Sequence, residues 1–261
     1  MKARMRRQEI MDVLMEAGSA GVDDLAARFR VSRMTVHRDL DELEQAGFVR
    51  KVRGGASIQA SSKFESDFRY RERLAIAEKR HIAAAAAASV EPGQTLMLDD
   101  GSTVAAMVEH LVERRPLTVV TGSFAVIRAF ADCSGIELIA LGGRYSTKFN
   151  GFFGLVAEEA IRSLRADVAF LSTSAILGTS AYHQDEGVVQ VKRLMMAAAE
   201  RRCLLADHAK FGRSALHFLA DLADFDTVFT GEPLGPAAAT PLAAAGIHPE
   251  VASAHGEDGH G

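Results

Sequence analysis

Cysteine is scarce and long apolar runs are missing from this 261-residue chain. The two cysteines, Cys133 and Cys203, show no C-x-x-C spacing, so we expect free, buried thiols and no disulfide framework. No segment approaches the ~20 consecutive apolar residues that span a bilayer. The basic N-terminus runs into an amphipathic stretch, whereas a signal peptide would continue into an apolar core. We therefore expect a cytoplasmic protein with no membrane partner.

An excess of positive charge is also missing, because 30 Lys and Arg stand against 34 Asp and Glu, a net charge of -4. Nucleic-acid-binding proteins usually have a high isoelectric point, so the total charge argues against that class. The charge is unevenly distributed, however: residues 1–80 carry a net +4 and residues 81–261 a net -8. The composition, with 48% apolar and 25% charged residues, excludes a disordered, collagenous or coiled-coil chain.

Shifts in composition divide the chain into four segments. We predict an N-terminal domain over residues 1–58, a polar linker over 59–74, a larger domain over 75–252 and a disordered tail over 253–261. In the larger domain, short apolar runs alternate with amphipathic segments of helical length. The expected strands are Thr95–Leu98, Leu117–Thr121, Ile136–Leu141, Asp167–Leu171, Cys203–Ala206 and Thr227–Thr230. The expected helices include Val104–Glu113, Phe124–Ala131, Val156–Leu164 and Val189–Glu200. This alternation predicts an α/β fold of Rossmann-like type, with a parallel sheet covered on both faces.

The N-terminal segment has the pattern of three short helices followed by a two-stranded ribbon. A first amphipathic helix contains Arg6, Ile10 and Leu14 and ends at Gly18. A second covers Asp23–Phe29, and a third begins after Ser32, a suitable cap, and continues to Gln45 before Gly47. Residues 48–53 then alternate apolar and basic before the turn at Gly54-Gly55. Helix, helix-turn-helix and ribbon together predict a winged helix.

The polar residues of this module suit DNA. A recognition helix enters the major groove by its N-terminal end, where side chains reach base edges, while other side chains hold phosphates. Base-edge contacts are expected from the start of the third helix, and phosphate contacts from its cap and from the wing. The predicted DNA-binding residues are Ser32, Arg33, Met34, Thr35, His37, Arg38, Arg50, Lys51 and Arg53. Double-stranded operator DNA is therefore an expected partner.

The residues from Arg6 to Ala56 resemble the DNA-binding domain of the DeoR/GlpR family of bacterial transcriptional regulators. The resemblance rests on the run Val31–Leu40, on Leu25-Ala26 before it, and on Gly54-Gly55-Ala56 after it. His37 and Arg53 depart from the pattern, since the family commonly has Arg and His at these two places. Both replacements donate hydrogen bonds, so DNA binding is still expected, with a different operator sequence.

Three loops of the larger domain end predicted strands with small polar residues. They are Asp99–Thr103, Thr121–Ser123 and Leu141–Gly143. In open α/β sheets ligands bind at the carboxyl ends of the strands, where these loops would converge. Backbone amides and hydroxyls there suit a phosphate, and Asp99 suits sugar hydroxyls. The residues predicted from these loops to bind an effector are Asp99, Gly101, Ser102, Thr103, Thr121, Gly122, Ser123, Gly142 and Gly143.

Lys192, Asp207 and Lys210 complete the predicted effector site. From the residues alone, Asp207 with Lys210 is as consistent with a structural ion pair as with ligand contact. The stretch from about Arg73 to Glu232 resembles the sensor domain of the same family, which is similar in fold to ribose-5-phosphate isomerase, and this resemblance implies ligand contact. It further implies that a phosphorylated sugar or polyol weakens operator binding. The loop Thr121–Ser123 lacks the Asn that many members of the family have there, and Val188 stands where an acidic residue is common.

These features predict a repressor of carbohydrate catabolism genes that is not an enzyme. Two alternatives stay open: an activator or dual regulator of the same architecture, and a sugar-phosphate isomerase, for which Asp99, Asp207 and Lys210 are suitable acid and base groups. The nine histidines show no metal-ligand spacing, so no metal and no cofactor is expected. Operator symmetry and the family resemblance imply a homodimer or homotetramer.

Overall fold

The computed structural model describes residues 3–45, 48–58 and 67–252. The chain forms two compact units that divide between Tyr70 and Arg71, within the interval predicted as a linker. The other linker residues, 59–66, the tail 253–261 and the predicted helix stop at Gly47 lie outside the described residues. In the described part of the chain, no helix is both long and apolar enough to cross a membrane.

The N-terminal unit has the predicted three helices and a wing. Its elements are α1 (Ala3–Ala17), β1 (Ser19–Gly21), α2 (Val22–Phe29), α3 (Arg33–Gln45), β2 (Val49–Val52) and β3 (Gly55–Ile58). Val36, Leu40 and Leu43 are buried at helical spacing, so α3 packs one face on the core and exposes the other. Strand β1, which the sequence pattern did not indicate, extends the ribbon into an antiparallel sheet of order β1-β3-β2.

The C-terminal unit is built on a seven-stranded sheet. In chain order its elements are α4 (Phe68–Arg71), α5 (Ile76–Ala88), β4 (Thr95–Leu98), α6 (Ser102–Ala105), α7 (Val108–Leu111), β5 (Leu117–Thr121), α8 (Phe124–Phe130), β6 (Ile136–Ala140), β7 (Arg144–Ser146), β8 (Gly151–Phe153), α9 (Leu155–Arg162), β9 (Ala166–Ser172), β10 (Ala175–Leu177), β11 (Ser180–His183), α10 (Glu186–Ala198), β12 (Ala199–Leu205), β13 (His217–Asp221), β14 (Thr227–Thr230), α11 (Pro236–Ala244) and β15 (Glu250–Val251). Helix α4 begins before the division between the units and ends at Arg71.

The large sheet is parallel throughout, with strand order β15-β14-β12-β9-β4-β5-β6. Successive residues of a central strand enter opposite cores. On β4, Leu96 and Leu98 pack into one core and Met97 into the other. Burial on both faces explains why the strands are continuous apolar runs, and it confirms the predicted parallel sheet.

Several predicted boundaries were wrong. The helix expected over Val104–Glu113 is divided into α6, α7 and a 3-10 turn (Val112–Arg114), because Met107 N–H bonds to the carbonyl of Val104 three residues back. Ala199 and Glu200 belong to β12 and not to the preceding helix, because Ala199 and Arg201 pair with β9. Pairing across the sheet overrides the local helical pattern there.

Two antiparallel elements were not predicted. Strands β10, β11 and β13 form a small separate sheet, and β7 with β8 forms a hairpin. Both cysteines are free thiols, as predicted, but only Cys203 is buried, while Cys133 is half-buried. Burial raises the pKa of the Cys203 thiol to about 11.

Candidate functional site

The predicted DNA-binding residues lie on one end of α3 and on the wing. Ser32 accepts a hydrogen bond from the backbone N–H of Thr35 through its Oγ, at 3.1 Å, and so caps α3 as predicted. Thr35 is half-buried, and the other predicted contacts are exposed, including Met34 at 71%. The exposed residues are Ser32, Arg33, Met34, His37, Arg38, Arg50, Lys51 and Arg53.

Two of these basic residues are paired with acids within their own unit. Arg33 contacts Asp23 on α2 through two nitrogens, at 2.5 and 2.6 Å. Lys51 Nζ lies 2.5 Å from Asp41, and this hydrogen bond raises the pKa of Lys51. Exposed ion pairs of this kind contribute little stability, so DNA phosphates can replace the carboxylates.

The orientation of α3 depends on a pair that the sequence pattern did not reveal. Arg6 on α1 donates to Asp39 from Nε, at 2.5 Å, and from Nη2, at 3.1 Å. Both side chains are buried, at 8% and 3% exposure. Arg6 was visible only as a member of the helical repeat of α1. The pair fixes the recognition helix against α1 from the side opposite its exposed face.

The turn of the wing requires its two glycines for different reasons. Gly54 has φ +80°, the left-handed region that favours glycine. A Cβ on Gly55 would lie 2.2 Å from the carbonyl oxygen of Ala20 on β1, so only glycine permits this strand approach. The wing residues Arg50, Lys51 and Arg53 are thereby held on a three-stranded sheet.

In the C-terminal unit, the crevice at the carboxyl edge of the sheet lies between β4 and β9. Strands β5 and β6 follow β4 on one side, and β9, β12 and β14 follow on the other, so the chain reverses its winding direction at this point. Open α/β sheets bind ligands at such a switch point. The loops that follow β4, β5, β6 and β12, all predicted from sequence, end at this edge.

Asp99, directly after β4, is the centre of a buried network. Its carboxylate accepts hydrogen bonds from Ser172 N–H at 2.5 Å, Ser172 Oγ at 3.0 Å, Gly101 N–H at 2.7 Å, and Lys192 Nζ. Asp99 is 2% exposed and Lys192 1% exposed. The predicted partners Asp99, Gly101 and Lys192 therefore lie together, and the Asp99 oxygens are occupied by protein donors.

Asp100 extends this network. Its Oδ1 lies 3.2 Å from Lys192 Nζ and its Oδ2 lies 3.6 Å from Arg71 Nη2. Burial disfavours the charged forms of Asp100 and Lys192, but the attraction between their opposite charges is stronger. The pKa of Lys192 is consequently raised, since Asp100 and Asp99 outweigh its burial, and the pKa of Asp100 is lowered, mainly by Lys192 and Arg71, against its own burial.

Ser102 and Thr103 are buried, and a lysine that was not among the predicted site residues contacts the first of them. Lys79 Nζ donates to Ser102 Oγ at 3.0 Å and to the backbone carbonyl of Arg71. Burial lowers the pKa of Lys79 to about 8. Lys79 stands in the run Glu78-Lys79-Arg80, and no spacing in the sequence links it to Ser102.

The second loop combines a satisfied hydroxyl with an unsatisfied one. Thr121 Oγ1 donates to the carbonyl of Leu98 at 2.7 Å and accepts from Ser123 N–H at 3.0 Å. The Oγ of Ser123 is fully buried and has no hydrogen-bond partner among the described residues. A buried hydroxyl without a partner is costly, so this position favours a bound polar group.

The glycines of the second and third loops have a structural reason in the β7–β8 hairpin. A Cβ on Gly122 would lie 2.9 Å from the carbonyl oxygen of Phe152, and one on Gly143 would lie 2.7 Å from that of Phe153. Gly143 also has φ +122°. Gly142 and Gly143 are exposed, unlike the buried residues of the first loop.

Asp207 and Lys210 follow β12 at the same edge. Asp207 is 4% exposed, and its charge and that of Lys210 both act on the pKa of Lys79, in opposite directions. Next to Asp207, His208 Nδ1 lies 2.8 Å from Glu78 Oε2, and its backbone N–H donates to Glu78 Oε1 at 2.7 Å. The hydrogen bond to the Glu78 carboxylate raises the pKa of His208.

Glu232 brings a second carboxylate to His208, at 3.5 Å from Nδ1. One ligand atom from each of Glu78, His208 and Glu232 lies within 4.8 Å of the others, a grouping that could hold a metal ion. Histidine spacing along the sequence could not show this grouping, because the three residues come from separate segments. Within it, His208 and Glu78 are already hydrogen-bonded to each other.

His183 is a further buried residue near the network that sequence reasoning missed. It is 2% exposed, and its Nδ1 accepts a hydrogen bond from Asp185 N–H at 3.2 Å. Burial, with Lys192 next in effect, lowers the pKa of His183 to about 3. The ring is therefore neutral at pH 7, and its other nitrogen carries a proton that can be donated.

Comparisons with known proteins agree with both units. A family model for the DeoR-like helix-turn-helix domain matches residues 6–62, and one for the DeoR C terminal sensor domain matches residues 74–232. The second match alone covers more than half of the chain.

Three relatives match along most of their length. The uncharacterized HTH-type transcriptional regulator YgbI of Escherichia coli K12 is 34% identical over 91% of this chain and 93% of its own. The L-fucose operon activator of Haemophilus influenzae is 32% identical over 88% of this chain and 92% of its own. The glycerol-3-phosphate regulon repressor of the same organism is 30% identical over 89% of this chain and 91% of its own.

Among solved structures, ribose 5-phosphate isomerase A from Methanocaldococcus jannaschii is 18% identical, over 51% of this chain and 53% of its own, with a TM-score of 0.38. The relatives and both matching domains are those of regulators, which sets aside the isomerase alternative. The chain belongs to the DeoR family of helix-turn-helix transcriptional regulators, with a DNA-binding domain followed by a sensor domain.

Proposed function

We propose that this regulator represses carbohydrate catabolism genes and is released from its operator when a phosphorylated sugar or polyol binds the sensor unit. Two winged helices of a homodimer or homotetramer bind operator half-sites in the cytoplasm, where that DNA is found. The effector lowers operator affinity because it binds more tightly to the arrangement that does not bind DNA. A relative's name, glycerol-3-phosphate regulon repressor, supports both the sign of regulation and a phosphorylated effector.

The observation that carries the effector proposal is the environment of Lys79. This lysine is 4% exposed, and no carboxylate oxygen among the described residues lies within 4.0 Å of its Nζ. Buried charges are normally paired, so a buried ammonium beside a serine hydroxyl favours an anion from outside the chain. The unpartnered Ser123 hydroxyl adds a second donor at the same edge of the sheet.

Access to Lys79 is provided by a groove of about 360 Å³. Lys79 and Ser102 line it together with Arg80 and the small side chains of Ala105 and Ala125, and the carboxylates of Glu72 and Glu109 also border it. Its volume lies in the range of small-ligand sites. Because residues 81–261 carry a net charge of -8, an anion is held by these local donors and not by the overall field.

On the DNA side, the exposed start of α3 supports base contacts from Arg33 and Arg38, with His37 and Met34 beside them. Arg50, Lys51 and Arg53 on the wing, with Ser32 and Thr35, are proposed to hold phosphates. Such contacts make operator affinity fall steeply with salt. Replacing Arg33 or Arg38 by alanine should therefore abolish specific binding while leaving weak binding to any DNA.

The proposal is tested by operator binding in the presence of candidate effectors. Fluorescence anisotropy of a labelled fragment from the regulated promoter should show a lower affinity with at least one member of a panel of phosphorylated sugars and polyols. The unphosphorylated counterpart should have no effect. A panel in which no phosphorylated compound changes the operator affinity of the wild type would contradict the effector proposal.

One relative favours a second candidate function. The L-fucose operon activator is 32% identical to this chain, so the same architecture is compatible with activation. The sign depends on where the operator lies relative to the promoter, which the residues do not encode. A reporter fused to the target promoter separates the two: deletion of the regulator raises expression for a repressor and lowers it for an activator.

A further inference from the structure

The division between the two units lies directly before Arg71, a residue that contacts the loop Asp99–Thr103. Tyr70, the last residue of the N-terminal unit, packs against the core of that unit. Arg71, the first residue of the C-terminal unit, is 8% exposed, and its guanidinium lies beside Asp100 of the same unit. Consecutive Cα atoms are ~3.8 Å apart, so a displacement of Arg71 acts directly on a residue anchored in the DNA-binding unit.

Arg71 is attached to the effector loop in two ways. Its backbone carbonyl accepts a hydrogen bond from Lys79 Nζ, which also donates to Ser102 Oγ at 3.0 Å. Its guanidinium Nη2 lies 3.6 Å from Asp100 Oδ2. Both attachments end on the loop Asp99–Thr103, the part of the sensor unit proposed to receive the effector. The backbone carbonyl and the guanidinium of Arg71 are thus both connected to the loop Asp99–Thr103.

An anion at Lys79 competes with the first attachment. Burial lowers the pKa of Lys79 to about 8; Asp207 and Glu78 act against that shift, and Lys210 and Arg71 reinforce it. At neutral pH the ammonium is therefore charged, with a neutral carbonyl and a hydroxyl as its partners. Phosphate carries a charge opposite to that of the ammonium, so it adds a Coulomb attraction that the neutral carbonyl and hydroxyl do not supply. A phosphate that enters the groove beside Ser102 draws the ammonium away from the Arg71 carbonyl.

We propose that Lys79 and Asp100 form a latch on Arg71, and that an anionic effector group bound at Ser102 opens it, which transmits effector binding to the DNA-binding unit. This inference rests on the proposed function, since it describes how the same site regulates operator affinity. The latch is closed in the DNA-binding arrangement. By linkage, operator DNA weakens effector binding by the same factor by which the effector weakens operator binding.

The first test uses the full-length wild type, with inorganic phosphate as the probe and chloride at matched ionic strength as the control. Hydrogen exchange measured by mass spectrometry should become faster in the peptide that spans residues 68–80 when phosphate is added. It should become slower around residues 99–104, where the anion binds. Exchange in 68–80 that is unchanged or slower with phosphate overturns the latch.

The second test separates binding from transmission. In Arg71→Gln, Asp100 keeps Lys192 as a partner, and Lys79 and Ser102 are unaltered. We expect phosphate binding, measured by calorimetry, to stay within about twofold of the wild type. The fall in operator affinity caused by phosphate, about 5- to 150-fold in the wild type for typical coupling, should be clearly smaller in the variant, because one of the two attachments is missing. Arg162→Gln, which removes an exposed charge paired with Glu159, should behave as the wild type.

The outcomes distinguish this inference from the function on which it rests. If Arg71→Gln responds to phosphate as the wild type does, the latch is wrong and the sugar-phosphate proposal is unaffected. If phosphate loosens residues 68–80 but no phosphorylated sugar or polyol releases the operator, the latch is supported and the proposed effector class is wrong. If Arg71→Gln unfolds, the exchange measurement on the wild type alone decides.

Discussion

Arg6 on the first helix and Asp39 on the recognition helix form a buried ion pair with two hydrogen bonds. Removing one partner of such a pair leaves an uncompensated buried charge, which costs about 3–5 kcal/mol. Asp39→Ala should therefore lower the free energy of unfolding of the N-terminal unit by about that amount, and its unfolding temperature should fall accordingly. Calorimetric unfolding of the full chain is the measurement.

The exposed pair of Asp41 with Lys51 supplies the control, since Asp41→Ala should leave that transition almost unchanged. The double variant Arg6→Met/Asp39→Leu, which removes both charges, should recover most of the stability. An Asp39→Ala protein as stable as Asp41→Ala would show that the pair does not hold the recognition helix.

Arg33 is restrained by Asp23 through an exposed two-nitrogen contact, and this restraint has to be given up when Arg33 meets DNA. Asp23→Asn should therefore strengthen operator binding by about two- to fivefold, the range that corresponds to one exposed ion pair. Anisotropy titrations at several salt concentrations measure the gain. Asp24→Asn removes the same charge from the same helix turn without touching Arg33. An equal gain in both variants would assign the effect to net charge.

The elements that the sequence predicted are those encoded by local patterns. The buried stripe Val36, Leu40 and Leu43 defines the recognition helix, and the short apolar runs define the parallel strands, because both patterns repeat within one element. The loops that follow those strands could be placed on one edge for the same reason. Their side chains could not be assigned partners, because spacing along the chain does not encode which segments meet.

The missed features all depend on contacts between distant segments. Arg6 and Asp39 are 33 residues apart, Lys79 and Ser102 are 23 apart, and Asp99 and Ser172 are 73 apart. The hairpin β7–β8 explains Gly122 and Gly143 by close approach of its backbone, whereas the sequence suggested only a ligand loop. A glycine beside Ser or Thr after a strand is thus compatible with a ligand-binding loop and with close packing against another backbone. Only the fold distinguishes the two.

Gly101 faces Ser172 across the crevice, and there is no room for a side chain. A Cβ at residue 101 would lie 2.0 Å from Ser172 Oγ and 2.5 Å from its Cβ. Gly101→Ala should destabilise the sensor unit by about 1–3 kcal/mol, as overpacking does, and abolish the effector response. Thermal unfolding and operator release measure the two effects.

The added Ser172→Gly change should restore part of the stability of Gly101→Ala, because it removes the two nearest clashing atoms and leaves Asp99 Oδ1 at 2.9 Å. Gly235→Ala, where nothing lies within 4 Å, is the matched control and should be neutral. A Gly101→Ala protein with normal stability and normal effector release would mean that the first loop tolerates displacement from β9.

His208 makes the stability of the sensor unit depend on pH near neutrality. The hydrogen bond to the Glu78 carboxylate raises the pKa of His208 above the ordinary histidine value of about 6.5, so folding favours the protonated ring. The stabilisation is complete below pH 6.5 and is lost as the pH rises through the higher pKa of the folded state. The unfolding temperature of the wild type should therefore fall between pH 6 and pH 8. The effect is modest, because the side chain is 46% exposed.

Replacement of His208 isolates this contribution. His208→Gln should flatten the fall, whereas His248→Gln, at an exposed histidine, should keep the wild-type profile. The scan ends at pH 8 because the lowered pKa of Lys79, about 8, acts in the opposite direction above that value: the unfolded chain then binds the extra proton, and stability rises with pH. A His208→Gln profile parallel to that of the wild type between pH 6 and pH 8 would mean that the Glu78–His208 contact does not require a charged imidazole.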